Sequence, residues 1–176
     1  MNSIIIYGSH YGTARAYAEK FAEMTGLSAV SYEKIKDLAG YGRVIHFGGL
    51  YAGGVKGLMK TLRALPADAR LIIVTVGLAD VSKTQNTDHI RKDIAMRVPG
   101  EIMARTEIVH LRGGMDYSQL NFAHRTMMSM VVKKVEKIPE DQRTDEDRDM
   151  LETYGKTVSF VDFSTLSKVM DAMGES

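Results

Sequence analysis

The sequence predicts an α/β domain with a doubly wound, parallel sheet of five strands and helices on both faces of the sheet. Short apolar runs alternate along the chain with segments of helical spacing, which is typical of parallel strands joined by helical crossovers. The run at residues 71–76 consists almost entirely of β-branched and aliphatic residues, as expected for a strand buried on both faces. Most of the predicted strands end at or near a glycine, which favours a ligand site at one edge of the sheet.

Each predicted element follows from a local pattern. Residues 4–7 form an apolar strand, and residues 13–24 carry apolar side chains at helical spacing up to Gly26, a residue type that is common just after a helix. Residues 28–32 alternate only weakly and are predicted as an edge strand. The next elements are strands at 44–47, 71–76 and 106–111, and helices at 57–65, where Pro66 follows, and at 87–98.

The alternation of strands and helices stops after the fifth strand. Apolar residues then recur on one broad helical face, and a densely charged segment without strand character follows. We therefore expect a single domain over residues 1–176, with a helical insertion at about 115–157. The predicted segments are a helix at 117–137, a solvated loop at 140–149 with one helical turn near 145–151, and a last helix from Asp162.

Charge and composition exclude several kinds of partner. The 23 basic and 22 acidic side chains nearly cancel, so the chain has no broad positive field that would bind nucleic acid. No segment has the roughly 20 apolar residues that span a bilayer, and the first residues lack a secretory signal. The absence of cysteine agrees with a reducing compartment and leaves redox chemistry to a bound cofactor. We expect a cytoplasmic protein, with peripheral membrane contact still open and the oligomeric state undetermined.

The five histidines do not indicate a metal centre. They lie in separate elements, without an i, i+4 pair of histidines or a pattern of supporting carboxylates. His46 and His110 fall in predicted strands, where buried and hydrogen-bonded histidines are common. His10 falls in a glycine-containing loop, where a protonated imidazole would assist an anion. The other two are His89 and His124.

The loop at residues 8–15 directly follows the first strand and precedes the first helix. Backbone N–H groups at the start of the helix, together with the hydroxyls of Ser9 and Thr13, can hold a phosphate dianion. The loop lacks both the Gly-Lys-Ser/Thr ending of a P-loop and the G-x-G-x-x-G pattern of dinucleotide sites. A tight turn, in which Gly12 permits the backbone and the hydroxyls only cap the helix, explains the pattern equally well.

Two further loops follow the third and fourth strands, and a parallel sheet brings them to the same edge as the first loop. Residues 48–54 contain four glycines that allow a flat ligand to approach the backbone, and the Tyr51 ring can cover its face. The alternative is a surface turn whose tyrosine only covers apolar neighbours. Residues 77–80 offer backbone N–H groups but no aromatic ring, so one face of the ligand is expected to stay open to a substrate.

The first loop resembles the phosphate loop of flavodoxins, which has a hydroxyl residue, two variable residues, glycine, a variable residue and threonine. Ser9 and Gly12 match, whereas Ala14 stands where the threonine is expected. The resemblance implies a flavodoxin-like fold with strand order 2-1-3-4-5 and FMN as the cofactor. The residues expected to bind FMN are Ser9, His10, Tyr11, Gly12, Thr13, Ala14, Gly48, Gly49, Leu50, Tyr51, Ala52, Gly53, Gly77, Leu78 and Ala79.

The chain is more closely similar to the flavodoxin-domain family that includes menaquinone-dependent protoporphyrinogen dehydrogenase. The similar features are Thr13-Ala14-Arg15 at the start of the first helix, the loop at residues 78–86, and an insertion before a Val-x-Phe-x-Asp-Phe segment at residues 158–163. The resemblance implies an FMN-dependent oxidoreductase that acts on a small-molecule redox substrate or a quinone. It assigns no catalytic side chain.

The resemblance also places the insertion on the substrate and membrane side of the protein. Phe122, Met127, Met128 and Met130 would then meet a porphyrin, a quinone or a lipid surface, although core packing or a dimer contact explains these residues as well. Two other functions stay open. One is a flavodoxin-type electron carrier with a redox protein as its partner, and the other is a flavodoxin-like domain that has lost the cofactor and serves in protein contacts.

Overall fold

A computed structural model describes residues 1–51 and 53–174. The strands are β1 (Ser3–Gly8), β2 (Ala29–Ser31), β3 (Arg43–Tyr51), β4 (Gly54–Val55), β5 (Arg70–Gly77), β6 (Thr106–Arg112), β7 (Gly114–Asp116) and β8 (Thr157–Ser159). The helices are α1 (Thr13–Thr25), α2 (Leu58–Ala64), α3 (Thr84–Ala95), α4 (Gly100–Met103), α5 (Phe122–Glu136), α6 (Asp145–Thr153) and α7 (Ser167–Met173). Short 3-10 turns connect some of these elements.

Five strands of the main sheet have the order β2-β1-β3-β5-β6, and each neighbouring pair among these five is parallel. Counting these five strands along the chain, the order is 2-1-3-4-5, so the predicted flavodoxin-like architecture is confirmed. In the middle of the sheet, Ile5 is paired with Ile45, and Ile45 is paired with Ile72. The strand order reverses beside β1, which is where a doubly wound sheet leaves a crevice at its carboxyl edge.

The two faces of the sheet bury separate apolar cores, because successive side chains of a strand point in opposite directions. On one face, Tyr17 and Phe21 of α1 pack with Ile5 of β1 and with residues of α7. On the other face, Ile4 and Ile6 pack with residues of α2 and α3. Among the described residues, neither core includes a side chain from residues 114–159. The sheet thus has its own core, independent of the insertion.

The third strand is longer than predicted. β3 continues through Gly48 and Gly49 to Tyr51, and it turns back into the short antiparallel strand β4, with Leu50 opposite Val55. Residues 48–51, which were predicted as an open loop, are therefore part of a hairpin. The physical reason is that pairing with β4 satisfies backbone groups beyond the parallel part of the sheet.

Several helix boundaries also differ from the prediction. The helix predicted at 87–98 begins earlier and ends earlier, as α3, and the unpredicted short helix α4 follows it. The last helix begins at Ser167 rather than at Asp162, because the Asp162 carboxylate accepts a hydrogen bond from the backbone of Ser164 and starts a 3-10 turn instead.

The insertion is more regular than the sequence indicated. The helix predicted at residues 117–137 begins at Phe122, since the Asn121 side chain accepts a hydrogen bond from the His124 backbone and caps α5. The helical turn that was predicted near residues 145–151 is present and is longer than predicted. There the nine-residue helix α6 starts at a capping box formed by Thr144 and Asp147.

The two ends of the insertion are joined by an antiparallel ribbon that was not predicted. β7 pairs with β8 from Gly114 opposite Ser159 to Asp116 opposite Thr157. The hydroxyl of Thr157 also donates a hydrogen bond to the Asp116 carboxylate over 3.0 Å. Throughout residues 1–51 and 53–174, no helix combines the length and the apolar character needed to cross a lipid bilayer.

Candidate functional site

A cavity of about 430 Å³ opens at the carboxyl ends of β1, β3 and β5, between the sheet and the insertion. Its volume is within the range of pockets that bury a small organic ligand. Most of the residues expected to bind FMN line this cavity: Ser9, His10, Tyr11, Thr13, Gly49, Leu50, Tyr51, Gly53, Gly77, Leu78 and Ala79. Of the others, Gly12, Ala14 and Gly48 do not line it, and Ala52 lies outside the described residues.

The loop between β1 and α1 ends in a turn that requires glycine. Gly12 adopts a left-handed conformation with φ of 88°, and its N–H donates a hydrogen bond to the Ser9 hydroxyl oxygen over 2.9 Å. Among the described residues, no protein atom accepts a hydrogen bond from the backbone N–H of Thr13, Ala14 or Arg15. The start of α1 therefore presents unpaired donors, as an anion site requires.

The side chain of Ala14 faces the core rather than the loop. It is only 1% exposed and packs in the same core as Tyr17 and Phe21. Only the backbone N–H of Ala14 is therefore placed to contact a phosphate. The neighbouring Thr13 lines the cavity. Its hydroxyl oxygen packs closely on Gly113, because a Cβ atom added to that glycine would lie only 2.8 Å from the oxygen.

The aromatic ring of Tyr51 is held by the first loop, between β1 and α1, and by the insertion. The ring centroid lies 4.3 Å from that of His10 and 5.1 Å from that of His124. Its hydroxyl donates to the sulfur of Met127 over 3.4 Å. Through these contacts α5 lies over the first loop and closes one side of the cavity.

Two of the glycines that were expected to bind FMN are required for packing. A Cβ on Gly48 would lie 2.1 Å from a methyl group of Val55, and a Cβ on Gly77 would lie 2.9 Å from a methyl group of Leu50. These two glycines let the β3–β4 hairpin approach the end of β5. Gly48 thus serves the packing of the hairpin, as a buried residue of β3 rather than as part of a surface turn.

The loop after β5 is held by Arg112, whose role was missed in the sequence. Two nitrogens of its guanidinium group donate to the carbonyl oxygen of Leu78 over 3.1 and 2.7 Å, and the group lies 3.7 Å from the centroid of the Phe160 ring. No described protein atom accepts a hydrogen bond from the backbone N–H of Leu78 or Ala79. The only feature of the sequence that pointed to this role was a basic residue at the end of the fifth predicted strand.

The electrostatics of the loop correct the expectation for His10. Burial, followed by electrostatic interaction with Lys56 and with His124, lowers the pKa of His10 below the ordinary value of 6.5. The imidazole is therefore mainly neutral at pH 7 and does not act as the cation that was predicted to assist a phosphate. Lys56, which was not predicted to be a site residue, supplies positive charge near this loop.

Two of the histidines are buried in the sheet, as predicted. The ring of His46 is fully buried, with Nε2 2.9 Å from the carbonyl oxygen of Lys56 and Nδ1 2.9 Å from the hydroxyl of Thr61. His110 is buried too, and its Nδ1 lies 2.7 Å from the hydroxyl of Thr75. Within the part of the chain that the structure describes, no group of three or more histidine, aspartate and glutamate residues is placed to hold a metal ion.

The insertion contributes a second wall to the cavity. Met127 and Met128 line it, whereas Phe122 and Met130, which were proposed to meet the same ligand, are 86% and 67% exposed on the outside of α5. Other residues of this wall were not identified from the sequence, because their positions depend on how α5 and α6 pack on the sheet. They are Met115, Tyr117, Val131, Glu146, Asp149, Met150 and Thr153.

Comparison with known proteins agrees with this architecture. A family model described as the flavodoxin domain matches residues 4–142, which is most of the chain. The chain belongs to the flavodoxin domain family, whose members typically bind FMN. No curated protein matches the sequence.

Among solved structures, the chain is similar to a cysteine-to-alanine mutant of flavodoxin from Pseudomonas aeruginosa. The sequence identity is 21%, and the similarity covers 76% of this chain and 96% of that chain, with a TM-score of 0.40. This degree of likeness supports no functional statement.

Proposed function

We propose that this protein is an FMN-dependent oxidoreductase of the flavodoxin-like superfamily. The observation that carries the proposal is the group of unpaired backbone N–H donors at Thr13, Ala14 and Arg15, at the mouth of a cavity lined by the loops after β1, β3 and β5. A helix start with unpaired N–H groups attracts a phosphate dianion. The cavity beside it provides space for a flat ring.

The residues present fit FMN. The N–H groups at the start of α1 and the hydroxyl of Thr13 would hold the phosphate, and the hydroxyl proton of Ser9 is still available to donate. The N–H groups of Leu78 and Ala79 would meet the polar edge of the ring, and Tyr51 would cover part of its face. When bound, FMN supplies hydride or single-electron transfer, and the protein contributes binding, orientation and exclusion of water.

For the reaction, we propose oxidation of a small molecule, with protoporphyrinogen and a quinone as the pair implied by the family resemblance. The supporting observation is that the cavity continues past the loops to the wall formed by the insertion. An electron carrier needs no such space, and the net charge of +1 lacks the acidic surface that is usual for one. A cytoplasmic location, with or without peripheral membrane contact, remains part of this proposal.

Titration of the cofactor-free protein with FMN, followed by flavin fluorescence, tests the phosphate site. Gly12→Ala places a side chain in a left-handed turn at the start of α1, and we expect at least ten-fold weaker FMN binding. Gly26→Ala is the matched control, because Gly26 has φ of 70° at the other end of the same helix and has equally open surroundings. Both variants should lose about 1–2 kcal/mol of stability, but only the first should lose FMN affinity.

Equal FMN affinity in the two variants would remove the first loop from the proposed site. Failure of the unmodified protein to bind FMN would favour the alternative of a domain that serves only in protein contacts. If FMN binds, turnover of protoporphyrinogen with a quinone separates the proposed enzyme from an electron carrier. A carrier would be reduced and reoxidised by protein partners without turning over this pair.

A further inference from the structure

Three buried polar atoms on the cavity wall have no partner within the described part of the chain. They are the hydroxyl oxygens of Tyr11 and Tyr117 and one carboxylate oxygen, Oδ2, of Asp149. A buried polar group without a hydrogen bond is destabilising, so such groups in folded proteins generally meet water or a ligand. These atoms come from the first loop, from the segment after β7, and from α6. The cavity is where the three segments meet.

The surroundings of the three atoms limit the kind of ligand that fits. Most side chains on the insertion wall are apolar, and four are methionines, which adapt to the shape of an aromatic ligand. The charged side chains of this wall, Glu146 and Asp149, are acidic and disfavour an anionic group. The four methionines of the insertion wall are Met115, Met127, Met128 and Met150.

The two tyrosines are suited to act as donors. Burial raises the pKa of both hydroxyls above the ordinary value of 10.0, so they stay protonated at neutral pH. When the Asp149 carboxylate is ionised, it carries no proton, so its free oxygen can accept a hydrogen bond but cannot donate one. A ligand group that both accepts and donates hydrogen bonds would therefore satisfy the phenols and the carboxylate together.

We propose that the insertion side of the cavity is a substrate subsite for a neutral aromatic molecule that carries a hydroxyl or N–H group. In this subsite the Tyr11 and Tyr117 hydroxyls donate to the ligand, the Asp149 carboxylate accepts from it, and the methionines pack on its ring. The inference deepens the proposed function and rests on it, because it places the substrate next to the proposed flavin position. Of the proposed pair, the reduced quinone is neutral and carries hydroxyl groups, so it fits this subsite, whereas protoporphyrinogen carries carboxylates that the acidic wall disfavours.

The test uses probes that differ in one polar group. Calorimetric titration of the FMN-loaded protein with 2-naphthol, which can donate and accept, should show binding at least ten-fold tighter than with naphthalene. 2-Methoxynaphthalene accepts but cannot donate, so its affinity should lie between those two. 2-Naphthoate should bind at least ten-fold more weakly than 2-naphthol, because of the acidic wall.

Substitutions test whether the hydroxyl of Tyr117 and the carboxylate of Asp149 cause the preference for 2-naphthol over naphthalene. Tyr117→Phe and Asp149→Asn remove one donor and one charged acceptor with little change of shape, and each should weaken 2-naphthol binding by about three- to ten-fold. Neither should weaken naphthalene binding. The matched controls are Tyr41→Phe and Asp141→Asn, which lie outside the cavity and should leave the affinity for both probes unchanged. Tyr11 is left intact because it belongs to the phosphate loop.

Equal affinity for 2-naphthol and naphthalene, or a preference that survives both substitutions, would overturn the proposal and leave ordered water as the partner of the three atoms. Because each substitution tests the subsite separately, loss of folding in one variant still leaves the other as a test. The proposed function fails separately, if FMN does not bind. In that case, titration of the FMN-free protein with the same probes still decides whether the subsite exists.

Discussion

Ala14 occupies the position where the flavodoxin pattern has a threonine, and the environment of its side chain explains why a hydroxyl is not needed there. The side chain is almost completely buried in the core under α1. A hydroxyl at this position would point into apolar surroundings, away from the proposed phosphate. The difference from the family pattern therefore says little about the strength of phosphate binding, which depends on the backbone N–H groups and on Thr13.

We expect Ala14→Thr to lower the free energy of unfolding by about 1–3 kcal/mol, measured by urea denaturation, because it overpacks the core and buries a hydroxyl. FMN affinity should not increase. Ala16→Thr is the matched control, since Ala16 lies in the same helix and is only partly buried. Tighter FMN binding by the Ala14 variant would show that the new hydroxyl reaches the phosphate after all.

The protonation of His46 makes the stability of the sheet depend on pH. Its burial lowers its pKa to about 4 from the ordinary value of 6.5, although its hydrogen bond to the Lys56 carbonyl raises it in part. Because that carbonyl can only accept, Nε2 carries the proton of the neutral ring, and the Thr61 hydroxyl donates to Nδ1. The folded state therefore binds an additional proton more weakly than the unfolded chain does.

The stabilisation from neutral His46 is complete above pH 6.5 and is lost as the pH falls from 6.5 toward 4. Between pH 7 and pH 5 we expect a loss of about 2 kcal/mol from this residue, measured by urea unfolding at each pH. His46→Gln should be less stable at pH 7 but should show a shallower pH dependence. The control is His89→Gln, at an exposed histidine, which should keep the full pH dependence of the free energy of unfolding. An equal pH dependence in the two variants would show that His46 is not its source.

At the level of elements, the loop after β5 depends on the strand beside it. Arg112, at the end of β6, holds the Leu78 carbonyl with two hydrogen bonds while its guanidinium group stacks on Phe160. The carbonyl oxygen of Arg112 in turn accepts a hydrogen bond from the buried Tyr17 hydroxyl over 2.7 Å. The proposed ring-binding loop is thus oriented by β6 and α1, two elements that do not precede it directly in the chain.

Arg112→Lys should weaken FMN binding by about ten-fold, because an ammonium group cannot make the paired hydrogen bonds of the planar guanidinium group. Limited proteolysis should also cut residues 78–86 faster in this variant. Arg70→Lys is the matched control, since Arg70 forms an exposed ion pair with Glu107 at the opposite end of the sheet. Unchanged FMN affinity and cleavage rate in the Arg112 variant would show that the loop holds its shape without this contact.

In the molecule as a whole, the insertion is attached through the β7–β8 ribbon, and it covers the cavity next to the first loop. Its ends meet in the ribbon of β7 and β8, where Asp116 and Thr157 are opposite each other, while α5 contacts the first loop through His124 and the end of β3 through Met127. The cores on the two faces of the sheet include none of its described residues. Its role in the structure is therefore to close the cavity rather than to support the sheet.

Replacement of residues 117–156 by Asn-Gly should leave a folded, FMN-binding protein, because this pair forms a two-residue turn between antiparallel strands. Iodide should quench the fluorescence of bound FMN several-fold more strongly than in the full-length protein, since one wall of the cavity is gone. Free FMN and the full-length complex give the upper and lower limits of quenching. Equal quenching in the two proteins would show that the insertion does not shield the flavin.

The positions of the main strands were predictable because they depend on local patterns. The apolar runs at β1, β5 and β6 were found within one or two residues, and even the weakly patterned β2 was placed correctly. β4, β7, β8 and α4 were missed, since they are short and are stabilised mainly by partners elsewhere in the chain. The capped helix α6 was underestimated, because its charged residues carry little apolar periodicity.

The site was predictable to a similar extent and for a similar reason. Glycine-containing loops at the carboxyl ends of parallel strands meet at one edge, so the loops could be named before their geometry was known. Arg112, Tyr117 and Asp149 could not be assigned to the site, because nothing in their local sequence shows which side chains they face.

The sequence by itself determined the parallel sheet and the position of the turn at Gly12, because apolar periodicity and a left-handed backbone are properties of a few neighbouring residues. Only the tertiary structure decided that α5 closes the cavity with Met127 inside and Phe122 outside, and that Ala14 faces the core. These outcomes depend on contacts between residues that are far apart in the chain. A short stretch of sequence encodes the shape of a segment but not the surface against which that segment packs.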